Sequence, residues 1–157
     1  MPTNRLLMAH AIALLLPLSL MAGALGSQYM GGLFPCEMCM WQRYPHYTAI
    51  VLALFGFFVP GRGGRILFVA AAGLAIAVSG VIGFLHVGVE QHWWPSLTAC
   101  GSTLRGGSLA DIMSAPIVAC DRPQWTFFGI SLAAFNMVFS LTGAGVIAWL
   151  LAKRNAA

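Results

Sequence analysis

The sequence predicts an all-α membrane protein, a bundle of four transmembrane helices with both termini on the cytoplasmic side. Composition comes first: of 157 residues, 59% are hydrophobic and only 8% charged, and a mean hydropathy of +0.83 lies far from the soluble average. Apolar runs at about 6–25, 41–59, 66–89 and 125–151 supply the spans, because roughly 20 helical residues cross a hydrocarbon core. Charge placement orients them. Arg5, Arg62, Arg65, Lys153 and Arg154 fall at the N-terminus, in the turn after the second run and at the C-terminus, which four crossings put on one side. Arg43, Arg105 and Arg122 share the other side with all four acids, Glu37, Glu90, Asp111 and Asp121. The side richer in Lys and Arg is the cytoplasmic one.

The net charge of +4 thus reflects topology, and lipid headgroups are its expected counter-charge rather than nucleic acid. With no repeat and no low-complexity tract, residues 1–157 read as one membrane domain, with outer loops at about 26–40 and 90–124.

The first run follows a charged start and ends in Ala22-Gly23-Ala24, small residues of the kind found at signal-peptidase sites. Its length favours a retained span over the shorter apolar region of a signal peptide. His10 is expected to be a packed or interfacial side chain, and Pro17 leaves a carbonyl that a neighbouring helix must satisfy. The second span begins near Met40 to Tyr44, with Pro45 in its first turn, where a missing N–H costs nothing. Trp41, Tyr44 and Tyr47 belong to the outer interfacial belt. Gly61-Arg62-Gly63-Gly64-Arg65 after Pro60 makes a tight inner turn, and no Lys-Ser/Thr follows to suggest a phosphate loop.

Ala71, Ala75, Ser79 and Gly83 in the third span, and Ser140, Ala144 and Ala148 in the fourth, recur every four residues and predict close helix approach. Spans one, three and four carry no Asp, Glu, Lys or Arg within the hydrocarbon, which counts against an ion pathway. In the second outer loop Trp93-Trp94-Pro95 reads as an interfacial anchor. Beyond it Leu104, Leu109, Ile112, Met113 and Ile117 suggest a short amphipathic helix on the outer leaflet.

All four cysteines fall outside, Cys36 and Cys39 in the first loop and Cys100 and Cys120 in the second. A disulfide-permissive compartment and an even count point to bonded or redox-active thiols. Thiolate attack on a disulfide of the Cys36-Glu37-Met38-Cys39 type moves electrons two at a time. A helix N-terminus there would favour a thiolate and Glu37 would oppose it, so the sign of the balance stays open. Arg43 shares a helix face with both cysteines. It either stabilises a thiolate or a quinone carbonyl, or it snorkels to fix helix depth.

His86, near the outer end of the third span, can face the same site. Structural zinc favours two close cysteine pairs, and the wide interval between Cys100 and Cys120 argues against a metal. His10 and His86 near opposite faces argue against haem. A thiol redox enzyme and a four-span scaffold stapled by structural disulfides are the readings left.

Two segments carry a family resemblance. Pro35-Cys36-Glu37-Met38-Cys39 with Trp41-Gln42-Arg43 following, and Cys120-Asp121-Arg122-Pro123-Gln124-Trp125-Thr126-Phe127-Phe128-Gly129 entering the last span, resemble the disulfide bond formation protein B (DsbB) family of inner-membrane quinone reductases. The resemblance extends over nearly the whole chain. It implies a multi-pass protein of the bacterial inner membrane with two periplasmic loops, which re-oxidises a DsbA-like thioredoxin-fold thiol oxidase and passes the electrons to ubiquinone or menaquinone.

By the same resemblance, Cys36 and Cys39 match the quinone-side pair and Cys100 and Cys120 the pair that meets the oxidase. Arg43 matches an arginine associated with quinone binding, and His86 a quinone-side histidine. Resting connectivity stays open between 36–39 with 100–120 and a bond that crosses between loops. Vitamin K epoxide reductase-type enzymes are similar small bundles with four working cysteines, but their Cys-x-x-Cys follows the loop pair, whereas here it comes first.

Overall fold

The computed structural model describes residues 2–98 and 118–153. Cys100, Arg105, Asp111, Arg154 and the expected amphipathic helix lie outside the described residues. Within them, four helices form an all-α bundle: α1 (Pro2–Tyr29), α2 (Glu37–Phe58), α3 (Arg62–Glu90) and α4 (Leu132–Ala152). The third helix is central, packed along both α2 and α4, and α1 closes the bundle against α2 and α4. Length and hydropathy suffice for a membrane crossing in α1, α3 and α4. The second helix falls short because Gln42, Arg43, Pro45 and His46 crowd its first half.

Three expectations about element boundaries are corrected. The second helix starts at Glu37 rather than near residue 41, because Cys36 caps it: the Cys36 sulfur accepts a hydrogen bond from the Cys39 N–H at 3.2 Å and so satisfies one orphan donor of the first turn. Pro45 consequently lies inside the helix and not in its first turn. The last helix starts at Leu132 rather than 125. Before it, Thr126–Phe127 pairs antiparallel with Ile130–Ser131 across Phe128 and Gly129, both at positive φ, as a tight two-residue hairpin turn requires. Ser131 then caps α4, its hydroxyl accepting from the Ala134 N–H.

Close approach of α3 to α4 occurs, but on a different stripe from the one expected. The buried face of α3 runs through Ala72, Gly73, Ile76, Ser79, Gly80, Gly83 and His86, while Ala71 and Ala75 are half-buried and Ala148 on α4 is exposed. Four-residue spacing drifts around a helix of 3.6 residues per turn, so only Ser79 and Gly83 of the predicted α3 stripe stay on the contact line. Gly73 faces Ile147, Gly80 faces Leu141, and Gly83 lies against the main chain of Ala133 and Met137.

Two apolar clusters bracket a polar layer. Toward one end Ala9, Ala13, Ala49, Ala53, Val69, Ala72, Ile76 and Ile147 form a fully buried core. His10 packs in it as expected, its Nε2 donating to the Ala53 carbonyl at 2.7 Å and its ring stacked on Phe57. At the opposite end Cys36, Met38, Val89 and Cys120 form a second cluster. Trp93 is exposed, but Trp94 folds back over Gly88 and donates from Nε1 to the Leu85 carbonyl, so only the first of the pair is presented outward as the anchor reading supposed.

A side chain at Gly80 tests this packing. An added Cβ would stand 2.8 Å from Leu141 Cγ and 3.1 Å from its main-chain nitrogen, so Gly80→Val should lower unfolding stability in detergent by about 1–3 kcal/mol. Gly145, with nothing within 4 Å of its added Cβ, provides the control, and Gly145→Ala should leave the transition essentially unmoved.

Candidate functional site

The site sits where the cap of α2, the outer end of α3 and the segment after residue 118 converge. Cys36, Cys39 and Cys120 are thiols. Cys36 Sγ lies 2.8 Å from Cys39 Sγ and 3.6 Å from His86 Nε2, and it packs with Cys120 in the same buried cluster. Cys36 thus has both other cysteines as neighbours. Of the sequence-predicted residues, Cys36, Cys39, Cys120, Arg43 and His86 come together at this end of the bundle; Cys100 lies outside the described residues.

The thiolate question left open by Glu37 takes a specific form. Cys36 is pushed well above the ordinary thiol range, first by its hydrogen bond to Cys120, then by that to Cys39 and by burial. It keeps its proton and shares it with its neighbours. Cys120 is held down at about 6, first by the hydrogen bond from Cys36, and also by the Met38 N–H, the Thr98 hydroxyl and the Glu37 N–H, against the opposing effect of burial.

Arg43 is buried, at 9% exposure. Its guanidinium does not reach outward to the headgroups, as a snorkelling arginine would. It turns to α1, donating to Gln28 Oε1 at 2.6 Å and to the Ala24 carbonyl at 3.2 Å. Beside it is a cavity of about 230 Å³ walled by α1 from Ser19 to Ser27, by Cys36, Cys39, Gln42, Arg43 and His46, by His86 and Glu90, by residues 122–125, and by Leu132 to Asn136 of α4. A cavity of roughly 150 Å³ accepts a benzene ring, so this one takes a substituted ring.

Behind the sulfurs runs a buried polar network that sequence reasoning missed. Gln42 Nε2 donates to the Met38 carbonyl at 3.2 Å and contacts His86 Nδ1 at 2.9 Å, while its Oε1 accepts from Asn136 Nδ2 at 2.8 Å. A carbonyl can only accept, so Met38 fixes which end of the amide faces it. His86 Nδ1 must then be the acceptor, and its Nε2 carries the proton toward Cys36 and toward Glu90 Oε1, 3.9 Å away. Donor atoms of Cys36, Cys39 and His86 lie within 4.8 Å of one another, a grouping able to hold a soft metal that the sequence spacing did not foresee. With the proton on Nε2, the histidine faces the sulfur as a hydrogen-bond donor. The available signal was the presence of Gln42, His46 and Asn136 inside otherwise apolar runs, since intramembrane polar side chains are seldom idle.

Around this site the two loops are tied to each other, and the cap of α4 is tied to the end of α3. Gln124 donates from Nε2 to the Phe34 carbonyl, and the Ser131 hydroxyl donates to Glu90.

A helical membrane bundle with three clustered thiols at one end of an apolar cavity defines a class of membrane thiol proteins. Comparison with known proteins makes this specific. The family model for disulfide bond formation protein DsbB matches residues 5–150, and the chain belongs to that family. It is 33% identical over 153 residues to disulfide bond formation protein B of Aromatoleum aromaticum, covering 85% of this chain and 87% of that one. It is 29% identical to the protein of the same name from an Azoarcus species, covering 87% of each chain, and 28% identical to that of a Polaromonas species, covering 82% and 80%. No solved structure matches the chain. The family and the long apolar helices make this a multi-pass inner-membrane protein with an oxidoreductase role in disulfide chemistry.

The titration of Cys120 is directly measurable. In the reduced protein, the ultraviolet thiolate absorbance that disappears in Cys120→Ser should rise with a midpoint near pH 6. The group is an acid whose folded pKa is lowered, so its charged form is present above that midpoint and lost below it. A midpoint at the ordinary thiol value would contradict the hydrogen-bonding described for its sulfur.

Proposed function

We propose that the chain is a protein-disulfide:quinone oxidoreductase that re-oxidises a thioredoxin-fold thiol oxidase outside the inner membrane. The observation that carries the reading is the position of Cys36, 2.8 Å from Cys39 Sγ and packed with Cys120 in one buried cluster. Disulfide exchange needs an attacking thiolate, a sulfur to attack and a leaving sulfur in sequence, and these three side chains are arranged for it.

In this reading the reduced oxidase gives two electrons to a Cys100–Cys120 disulfide, releasing both thiols and becoming a disulfide itself. The Cys120 thiolate then attacks Cys36 of a Cys36–Cys39 disulfide, forming a Cys120–Cys36 bond and expelling Cys39 as thiolate. Attack by Cys100 on Cys120 restores the Cys100–Cys120 bond and frees Cys36. The net result is one disulfide re-formed in the second loop and a dithiol at Cys36 and Cys39. With Cys36 tied up in its disulfide, the Thr98 hydroxyl 3.6 Å from Cys120 Sγ still favours a thiolate there, which suits Cys120 to be the attacking sulfur.

Ubiquinone or menaquinone, when bound, supplies the two-electron sink. Fit to the cavity rests on its volume, its largely apolar wall, and the convergence there of Cys39 and Arg43. Arg43 is a fixed cation suited to a carbonyl oxygen, its bonds to Gln28 and the Ala24 carbonyl hold it in place, and among the described residues no carboxylate pairs with it. His86 donates to the sulfur that Cys39 must rejoin. In this reading α2 also crosses the membrane, because Gln42, Arg43 and His46 are buried against the other helices and their polar groups are satisfied by protein. Both termini then lie in the cytoplasm, and residues 1–157 act as one membrane domain.

Acid-quenched alkylation of cells starved of quinone tests the relay. Cysteines should accumulate in the reduced form, and cysteines that stay fully oxidised would remove the electron sink from the scheme. Cys100→Ala should still reduce quinone from Cys36 and Cys39 when these are reduced artificially, yet accept no electrons from the oxidase. Arg43→Ala should raise the quinone KM by about tenfold or more, the loss expected for a charged hydrogen bond.

A further inference from the structure

One buried nitrogen, on a residue of the cavity wall, has no part in the relay. His46 is 2% exposed and lines the cavity. Its Nε2 lies 2.8 Å from Asn136 Oδ1 and 2.9 Å from the Ser79 hydroxyl, and neither has a proton to give it. Asn136 is oriented by its Nδ2, which donates to the Ser79 main-chain oxygen at 3.2 Å and to Gln42 Oε1. The Ser79 hydroxyl donates to the Gln42 carbonyl at 2.8 Å, and the Ser140 hydroxyl donates to Asn136 Oδ1 at 2.9 Å.

His46 Nε2 must therefore be the N–H, donating into this network. The neutral ring is left with a lone pair at Nδ1, and that atom is buried without a partner. Of the three such side-chain atoms among the described residues, on His46, Arg65 and Asp121, only this one belongs to a residue that lines the cavity. An unmet buried acceptor is costly, and it is relieved by a ligand that brings a donor.

We propose that His46 Nδ1 accepts a hydrogen bond from a hydroxyl of the hydroquinone, so that the cavity holds the reduced form of the electron acceptor more tightly than the oxidised form. The inference rests on the reading of this cavity as the quinone site. A quinone presents carbonyl oxygens, whose lone pairs meet the lone pair of Nδ1. Once Cys36 and Cys39 close to a disulfide, the two electrons and two protons they give up convert both carbonyls to hydroxyls, and one hydroxyl can then donate to Nδ1. A site that prefers the reduced form draws the reaction toward it by the same factor, because the ligand shifts the equilibrium only through its differential affinity.

Equilibrium dialysis under anoxia tests this with decylubiquinone on the oxidised full-length chain and decylubiquinol on the reduced one, so that no electrons move in either arm. His46→Phe should weaken hydroquinone binding about tenfold, the worth of one buried hydrogen bond, and change quinone binding less than twofold. Equal losses for both ligands, or no loss for hydroquinone, would overturn the proposal. Should the variant fail to fold, the unaltered reduced chain still decides: the dimethyl ether of decylubiquinol, which has no O–H, should bind about tenfold more weakly than the quinol, and equal binding refutes the role. A wild-type chain that binds neither quinone nor quinol would instead refute the cavity assignment itself.

Discussion

Two main-chain carbonyls fix the chemistry of this bundle. Met38 O and Ser79 O each face the NH₂ end of a side-chain amide, Gln42 in one case and Asn136 in the other. Because a carbonyl cannot donate, neither amide can turn over without losing a hydrogen bond and opposing two oxygens. The two amides are also joined, Asn136 Nδ2 to Gln42 Oε1, so the orientation of each reinforces the other. Each then dictates a histidine: Gln42 makes His86 Nδ1 an acceptor, and Asn136 makes His46 Nε2 a donor. One imidazole shows an N–H to a sulfur and the other keeps a lone pair in reserve. In a low-dielectric interior such chains are strongly held when complete and costly when broken.

That network depends in turn on how closely α3 and α4 pack. Asn136 reaches Ser79 and Gln42 because Gly80 and Gly83 let α4 lie against the α3 main chain; Gly83 alone has the Met137 nitrogen, the Ala133 oxygen and Asn136 Nδ2 within 3.2 Å of where its Cβ would be. In a membrane, with little hydrophobic drive between helices, small residues and interhelical hydrogen bonds are the available adhesives, and here they occur at the same place. The glycines admit the asparagine, and the asparagine bonds two other helices. This also accounts for the low hydropathy of α2, whose polar residues face inward to partners on α1, α3 and α4.

Much of this was legible in the sequence, and the gaps have physical causes. Four helical segments follow from apolar runs, and the cysteine spacing with Arg43 marked the chemical end of the bundle. Helix ends were misread where a cap or a turn overrode hydropathy: Cys36 serves as an unconventional sulfur cap, and the positive φ at Phe128 and Gly129 makes a hairpin from residues apolar enough to pass for helix. The small-residue stripe was placed by counting in fours, which overlooks the drift of the α-helical period. His46 and Asn136 are single polar residues ninety positions apart, and nothing in their spacing announces that they meet. Arg43 had two possible roles by sequence, and its bonds to Gln28 and Ala24 are tertiary facts.

The division of labour among the sulfurs turns on which of them caps the helix. A cysteine in the first turn of α2 would ordinarily gain most from the free amides. Here Cys36 is the cap itself, accepting from the Cys39 N–H, and the sulfur held down at about 6 is Cys120, with the Thr98 hydroxyl 3.6 Å away. Negative charge is thereby favoured on the sulfur from the second loop, while Cys36 retains its proton between two neighbours. In the proposed relay this asymmetry sets direction: the sulfur poised to attack belongs to the pair nearest the protein substrate, and the sulfur poised to be attacked borders the cavity. Glu37, which by sequence should oppose a thiolate at Cys36, stands beside a cysteine that has little tendency to ionise.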